Sequence, residues 1–489
     1  VTDVEPFGRV ILLIAVIGTL AVLSSRFSER LRIPAPAIFL ICAAAAAEIW
    51  PRLGTVGIPT VEKIVTVALA VILFDGGMHI GRRRFAAAAG ATVWLGVAGT
   101  FVTAAVLALL AHYAFGIDWR LAMLLGTALA PTDPAVVFSV LGRREIAGRT
   151  GTLLEGESGA NDPVGIALMV ALLTANGVGP GAAAQVTVEF VRQMAIGAAV
   201  GVAGGMALLS FMRRVPLPSA GLYALRVLFG ALIIYGLATA AHGSGFLAVF
   251  AAGILLGDER APYKREIERF HSSLASLGEI VAFTMLGLTI RLDELRNGGA
   301  WWIGLLLAVI LAFVIRPVFV GLVLAPIRLR RNERIFVLWT GLKGAVPILL
   351  GSFILEAGLR DARRAYEIIF VVVAFSVLVQ GGLVPTLAHR LRIPLRTIEP
   401  EPWSLGVRFQ EEPEGLHRYQ VTAGSAADGS TVDDLPCSED VWVSFVIRDG
   451  RLVPVRADTE IRAGDEVLVL AADPSELAAV FTEKSDNSL

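Results

Sequence analysis

Four short stretches combine ionisable or hydroxyl side chains with helix-breaking residues inside otherwise apolar sequence. They are Ala130-Pro131-Thr132-Asp133-Pro134, Glu155-Gly156-Glu157-Ser158-Gly159-Ala160-Asn161-Asp162-Pro163, Arg316-Pro317 and Thr340-Gly341-Leu342-Lys343-Gly344-Ala345-Val346-Pro347. Ser158 and Asp162 are four residues apart and share a helix face; Glu157 and Asn161 form the neighbouring pair. One helix thus offers a carboxylate and a hydroxyl toward one point, and a second carboxylate and an amide toward another. A buried carboxylate such as Asp162 can hold a proton or a monovalent cation, but not both at comparable affinity. Each displaces the other, so every buried carboxylate in these stretches, Asp133, Glu157 and Asp162, is a candidate functional residue.

The flanking residues must position that carboxylate. Pro131 and Pro134 remove backbone donors and disfavour helix in the residue before each, so the helix is expected to break there. Such a break is tolerated at membrane depth only inside protein or against a water-filled cavity. Glycine and proline around Lys343 permit a second unwound centre. Lys343 and Arg316 need counter-charges, for which Asp133, Glu157 and Asp162 are the candidates. The bland alternatives are a proline kink capped by Asp133, a cytoplasmic loop reaching past Glu157, and bases that snorkel to the interface.

The surrounding chain is built for lipid. Hydrophobic residues make up 55% of 489 and charged residues 17%, with a mean hydropathy of +0.70; soluble domains carry about 25% charged residues. Apolar runs long enough to cross a roughly 30 Å hydrocarbon core recur throughout. Thirteen spans are expected, near 7–25, 34–50, 61–80, 86–114, 119–141, 150–175, 189–211, 219–242, 244–257, 270–290, 300–324, 334–357 and 365–389. The first lacks a small-residue cleavage signal and reads as a spanning helix. The chain opens with Val1 rather than Met, so its natural start is expected upstream. Basic clusters such as Arg82–Arg84, Arg213/Arg214 and Arg390/Arg392/Arg396 follow the odd-numbered spans. Only Arg360/Arg363/Arg364, diluted by Asp361, goes against the alternation. The positive-inside rule then puts the N-terminus outside and the C-terminus in the cytoplasm. The two broken spans, fifth and twelfth, are seven apart, the pattern of inverted repeats that meet at the membrane midplane.

The tail differs. From Thr397 to Leu489 there are 7 Lys+Arg against 19 Asp+Glu, a balance of −12, while the rest carries +11. This divides the chain into a membrane domain (1–396) and a linker with a small cytoplasmic α+β domain (397–489, core about 403–482). Alternating apolar stretches at Val441–Val446 and Glu466–Leu470 read as strands, and Pro474–Phe481 as a terminal helix. No Gly-rich phosphate loop precedes them, and the acidity argues against nucleic acid as a partner. Cys42 and Cys437 suggest neither a disulfide framework nor a metal site.

Thr132-Asp133-Pro134, Glu157-Ser158-x-x-Asn161-Asp162 and Gly341-Leu342-Lys343-Gly344-Ala345 resemble the signature motifs of NhaP-type cation:proton antiporters. Leu73-Phe74-Asp75-Gly76-Gly77-Met78 looks like the motif closing their third helix. The resemblance covers nearly the whole membrane part. The tail is similar to the regulatory RCK-C or TrkA-C module of potassium-transport regulators, a combination that looks most like the cell-volume-regulation branch of potassium/proton antiporters. The resemblance implies an all-α polytopic fold with inverted repeats and two broken helices. It implies that Asp162 binds cation (K⁺ or Na⁺) or proton, that Ser158 and the Thr132 backbone complete the oxygen shell, and that Asp75 lies near the mouth. It further implies that Glu157 pairs with Arg316 and Asp133 with Lys343. The family commonly has Arg where Lys343 stands, which keeps the charge without the planar fork, and often Glu where Asp75 stands. A homodimer in the cell inner membrane, with a nucleotide or cyclic dinucleotide at the tail, is also implied.

Asn161 in place of a second Asp leaves one titrating carboxylate, so electroneutral one-for-one exchange is expected. The motifs do not separate K⁺ from Na⁺ or Li⁺; the tail favours K⁺. An RCK-regulated cation channel should carry a carbonyl filter such as Thr-Val-Gly-Tyr-Gly, and none is present. A membrane enzyme lacks support, because the six histidines, His79, His112, His242, His271, His389 and His417, are scattered.

Overall fold

The computed structural model describes residues 34–50, 57–141, 144–146, 148–175, 177, 179–259, 261, 263–397, 416–437, 441–448, 451–471 and 477–482, with isolated positions at Gly8, Leu12, Ala15, Gly18 and Thr19. The expected first span, 7–25, and the linker from 398 to 415 lie outside the described residues. The chain divides into two compact units, Val1–Glu399 and Pro400–Leu489.

The described residues of the first unit are almost wholly helical. Its elements are α1 (Ala35–Ile49), α2 (Ile58–Phe115), α3 (Trp119–Ala128), α4 (Ala135–Leu141), β1 (Arg144–Ile146), α5 (Arg149–Thr174), α6 (Pro180–Arg214), α7 (Ala220–Ala240) and α8 (Gly245–Gly257). There follow α9 (Lys264–Leu288), α10 (Leu292–Asn297), α11 (Ala300–Val323), α12 (Arg331–Trp339), α13 (Ala345–Glu356), α14 (Ala362–Arg390) and β2 (Leu395–Thr397). Among the described residues, six helices are long and apolar enough to cross a membrane: α2, α6, α7, α9, α11 and α14. Large apolar side chains such as Phe229 and Ile233 of α7 and Phe313 and Leu322 of α11 are exposed on the unit's surface, as a lipid-facing surface requires.

The 58 residues of α2 are two helices joined at a kink, each long enough for a crossing of its own at about 1.5 Å per residue. Its path turns at Gly81 (φ 66°, ψ 165°), between the expected spans 61–80 and 86–114. The Asp258 carboxylate at the end of α8 accepts the Arg83 backbone N–H at 2.5 Å and occupies the space where a Cβ on Gly81 would sit. Glycine is therefore required twice over, for its positive φ and for the close approach.

Two helices are interrupted where the prolines and glycines stand. α3 ends at Ala128 and α4 resumes at Ala135; α12 ends at Trp339 and α13 resumes at Ala345. In contrast, α5 runs unbroken through Pro163, so Glu155–Asp162 is helix and not a reaching loop. One strand pair was not foreseen: β1 and β2, placed in loops by the hydropathy pattern, pair antiparallel with Glu145 opposite Arg396.

The second unit is a four-stranded antiparallel sheet, order β3-β6-β4-β5, built from β3 (Leu416–Gln420), β4 (Trp442–Arg448), β5 (Arg451–Val453) and β6 (Glu466–Leu470). A short helix, α15 (Leu477–Phe481), closes it; the first residues of the expected Pro474–Phe481 helix lie outside the described residues. Val443, Val446, Val467, Val469, Leu477 and Phe481 form its core. Cys42 is a free thiol.

Candidate functional site at the crossing of two broken helices

The unwound segments 130–134 and 340–344 cross each other. The Asp133 backbone N–H donates to the Leu342 carbonyl at 2.8 Å, and a Cβ on Gly344 would collide with the Asp133 carboxylate, so only glycine admits this approach. Four half-helix ends meet here, each with unsatisfied backbone groups and a partial charge. Asp133 answers the two N-terminal ends. Its carboxylate accepts the Ala135 N–H that opens α4, at 2.8 Å, and also the backbone N–H of Ala345 that opens α13. The cations answer the two C-terminal ends. Lys343 Nζ donates to the carbonyls of Ala130 and Pro131, both at 2.9 Å. Arg316 Nε donates to the Leu338 carbonyl at 3.0 Å and Nη2 to that of Val337 at 3.4 Å.

This geometry corrects one expectation. Lys343 and Asp133 occupy the same crossing, but no ion pair joins them. The broken backbone itself supplies stronger claims on each side chain, carbonyls for the ammonium and N–H groups for the carboxylate. Glu157 and Arg316 are ion-paired, Nη2 to Oε1 at 3.1 Å, with both side chains almost fully buried (5% and 3% exposed). Arg316 lies in a π-helical stretch of α11, Leu311–Val320, next to Pro317, which cannot donate to the helix ladder.

The face of α5 beside Glu157 clamps the first break. Asn161 Nδ2 donates to Thr132 Oγ1 at 2.7 Å, and Asn161 Oδ1 accepts the Thr132 backbone N–H at 3.3 Å. One amide thus uses both its donor and its acceptor on one residue of the unwound segment. On the adjoining face, Ser158 and Asp162 are each 6% exposed. Asp162 Oδ1 is buried without a hydrogen-bond partner among the described residues, and its charged neighbours are Asp133 and Lys343. Asp75 stands apart, on α2. Its Oδ1 accepts from the Ser272 hydroxyl of α9 at 3.3 Å, and His79 Nδ1 lies 3.4 Å from Oδ2.

Three polar residues were missed by the sequence reading. Ser376 accepts the Lys343 backbone N–H at 2.9 Å and anchors the second unwound segment to α14. Ser272 holds Asp75, and Glu279, two turns further along the same face of α9, lies within electrostatic reach of Asp75 and Asp133. The repeat Ser272, Ser276, Glu279 at helical spacing was a readable signal for a polar stripe on α9. No cluster of His, Cys, Asp and Glu among the described residues could hold a metal ion.

Residues 12–390 match the family described as "Sodium/hydrogen exchanger, transmembrane", and residues 416–482 match the TrkA-C domain. The chain belongs to the sodium/hydrogen exchanger family. It is a membrane antiporter with a TrkA-C domain, a transporter and not an enzyme. It is 31% identical to the K(+)/H(+) antiporter NhaP of Alkalimonas amylolytica, over 99% of this chain and 85% of that protein. It is 31% identical to the K(+)/H(+) antiporter NhaP2 of Shewanella sp. (strain MR-4), over 97% and 83% respectively. The Na(+)/H(+) antiporter NhaH of Halobacillus dabanensis is 26% identical over 67% of this chain. The sodium proton antiporter MjNhaP1 of Methanocaldococcus jannaschii, at 21% identity, has the same fold, with a TM-score of 0.66 over 78% of this chain and 99% of that one.

Proposed function

We propose that the chain exchanges one K⁺ for one H⁺ across the cytoplasmic membrane, the two ions competing for Asp162. One observation carries the reading: the Asp162 carboxylate is buried with an oxygen that no donor among the described residues satisfies. An unpaired buried carboxylate is costly unless an external cation or proton neutralises it. At the crossing, three carboxylates (Asp133, Glu157, Asp162) face two cations (Lys343, Arg316), leaving one negative charge for one monovalent ion to balance. Ser158 Oγ and the Thr132 carbonyl would complete the oxygen shell, and Asp75 would stand near the mouth. Asn161, Asp133, Glu157, Lys343 and Arg316 would hold the broken helices in register around it. If the bundle moves only when Asp162 is neutral, exchange is obligatory and electroneutral.

Thirteen spans in two inverted repeats, with the N-terminus outside, fit the loop charges and the seven-span offset of the breaks. In this reading residues 1–396 form the exchanger domain in the cell inner membrane, and 397–489 a cytoplasmic linker and regulatory domain. Two such tails would pair in a homodimer, and a nucleotide or cyclic dinucleotide bound there would shift the transport equilibrium. K⁺ is favoured by the names of the two 31%-identical relatives and by the TrkA-C domain. Na⁺ or Li⁺ exchange is the second reading, favoured by the name of the Halobacillus relative.

The test is dequenching of a pH dye in proteoliposomes on adding K⁺, Na⁺ or Li⁺, with Asp162→Asn as control. Dequenching by K⁺ that Asp162→Asn abolishes supports the reading; normal exchange by that variant sinks the assignment of Asp162. A rate that varies with a clamped membrane potential would argue against electroneutrality.

A further inference from the structure

We propose that a basic cavity at the end of α6 binds the phosphate headgroup of an anionic phospholipid. The cavity, about 360 Å³, opens between the residue after the Gly81 turn, the last turns of α6 and the end of α8. Arg82, Arg213 and Arg214 line it with the Ser210 hydroxyl, against a single carboxylate, Glu259. That carboxylate is taken: Arg213 Nη2 donates to Glu259 Oε2 at 2.5 Å. Among the described residues no ion pair engages Arg82 or Arg214, so two guanidinium groups converge on one cavity without an anion. Guanidinium forks match phosphate oxygens, and basic pockets between membrane helices suit acidic headgroups.

The other wall selects a lipid over free phosphate. Met206 lines the cavity and is 56% exposed. Away from it the outward side of α6 continues through exposed Val202, while Phe211 is exposed beside the arginines. A headgroup held by Arg82 and Arg214 would lay its acyl chains along this apolar side. Inorganic phosphate could use the arginines alone. The bound lipid would bridge α2 to α6 and α8 at the level where α2 turns. The proposal needs the membrane-spanning fold but not the assignment of Asp162.

The full-length protein in neutral detergent is titrated with phosphatidylglycerol, phosphatidylcholine or inorganic phosphate. Thermal unfolding and native mass spectrometry read the binding. Phosphatidylglycerol is expected to raise the unfolding temperature and remain bound, and the other two to do neither. Each basic contact near an anionic lipid contributes about fivefold in affinity, so Arg82→Gln/Arg214→Gln is expected to weaken binding roughly 30-fold. Arg328→Gln/Arg331→Gln, which removes two exposed arginines elsewhere, should bind as the wild type does. If the first double variant does not fold, Arg214→Gln alone carries the comparison at about fivefold. Equal stabilisation by phosphatidylcholine, full stabilisation by phosphate alone, or equal losses in both double variants would each overturn the proposal.

Discussion

Lys343 and Asp133 share one helix crossing without pairing. Lys343 Nζ reaches across to the carbonyls of Ala130 and Pro131, while the Asp133 carboxylate turns to the N–H groups opening α4 and α13. Each charge is matched to the end of a helix dipole and not to the other charge. The two residues therefore stabilise different things, the ends of α3 on one side and the starts of two half-helices on the other.

Replacing Lys343 with Met should accordingly destabilise the membrane unit, because the carbonyls of Ala130 and Pro131 lose the ammonium that donates to them and the crossing loses a positive charge. Each orphaned buried acceptor costs about 1–3 kcal/mol. Asp133→Ala should cost less, about 1–2 kcal/mol, as the loss of helix caps does. Thermal unfolding of the full chain in detergent gives both values. An unchanged unfolding temperature for Lys343→Met would contradict the capping role.

The helices and their breaks were legible in the sequence because lipid imposes length and apolarity on every span, and Pro131, Pro134 and the glycines around Lys343 announce their own interruptions. The partners of Lys343 were not legible. Its acceptors are carbonyls that exist only because α3 has ended, and a charge count over side chains cannot include them. Gly81 escaped for a related reason: its requirement comes from Asp258, far away in sequence. Ser376 and the β1–β2 pair are likewise contacts between distant segments, set by packing and not by local pattern.

Glu157 and Arg316 should show asymmetric losses. Removing one partner of a buried pair costs about 3–5 kcal/mol. Arg316 also serves the carbonyls of Val337 and Leu338, so Arg316→Met should exceed Glu157→Gln. A double-mutant cycle on unfolding free energies should return a favourable coupling. Strict additivity would mean that the 3.1 Å contact contributes nothing.

Asn161→Ala frees both hydrogen bonds that hold Thr132, whereas Thr132→Val removes only the one at Oγ1. Exchange should therefore slow more in the first variant, by about 30-fold against about fivefold, since one buried hydrogen bond contributes about 1 kcal/mol. Initial antiport rates at equal reconstitution density decide the order.

In the second unit Asp465 is almost fully buried. It takes a two-pronged contact from Arg448, at 2.8 and 2.7 Å, and accepts the Arg462 N–H at 2.9 Å. Burial alone would raise its pKa, but the Arg448 and Arg462 interactions outweigh it and hold the carboxyl below the usual range. A folded pKa below the unfolded one, about 3.9, contributes stability that is present above that value and lost as pH falls through the folded pKa. Asp465→Asn should lower amide-exchange protection of residues 416–482 in the full chain at neutral pH. The difference from wild type should shrink under acid conditions.

Asp162→Asn should separate transport from stability. A carboxylate that served the fold would weaken the protein when neutralised, as expected for Glu157. Asp162 has a buried oxygen without a donor among the described residues, so its negative charge opposes folding unless an ion compensates it. The isosteric amide removes that charge without leaving a void. The variant's unfolding temperature in cation-free detergent should equal or exceed the wild type's while exchange is lost. Adding K⁺ should raise the wild-type temperature, because ligand binding to the folded state stabilises it, and leave that of Asp162→Asn unmoved. A K⁺ shift that survives in Asp162→Asn would move the cation site elsewhere, with the α9 stripe of Ser272 and Glu279 the next place to look.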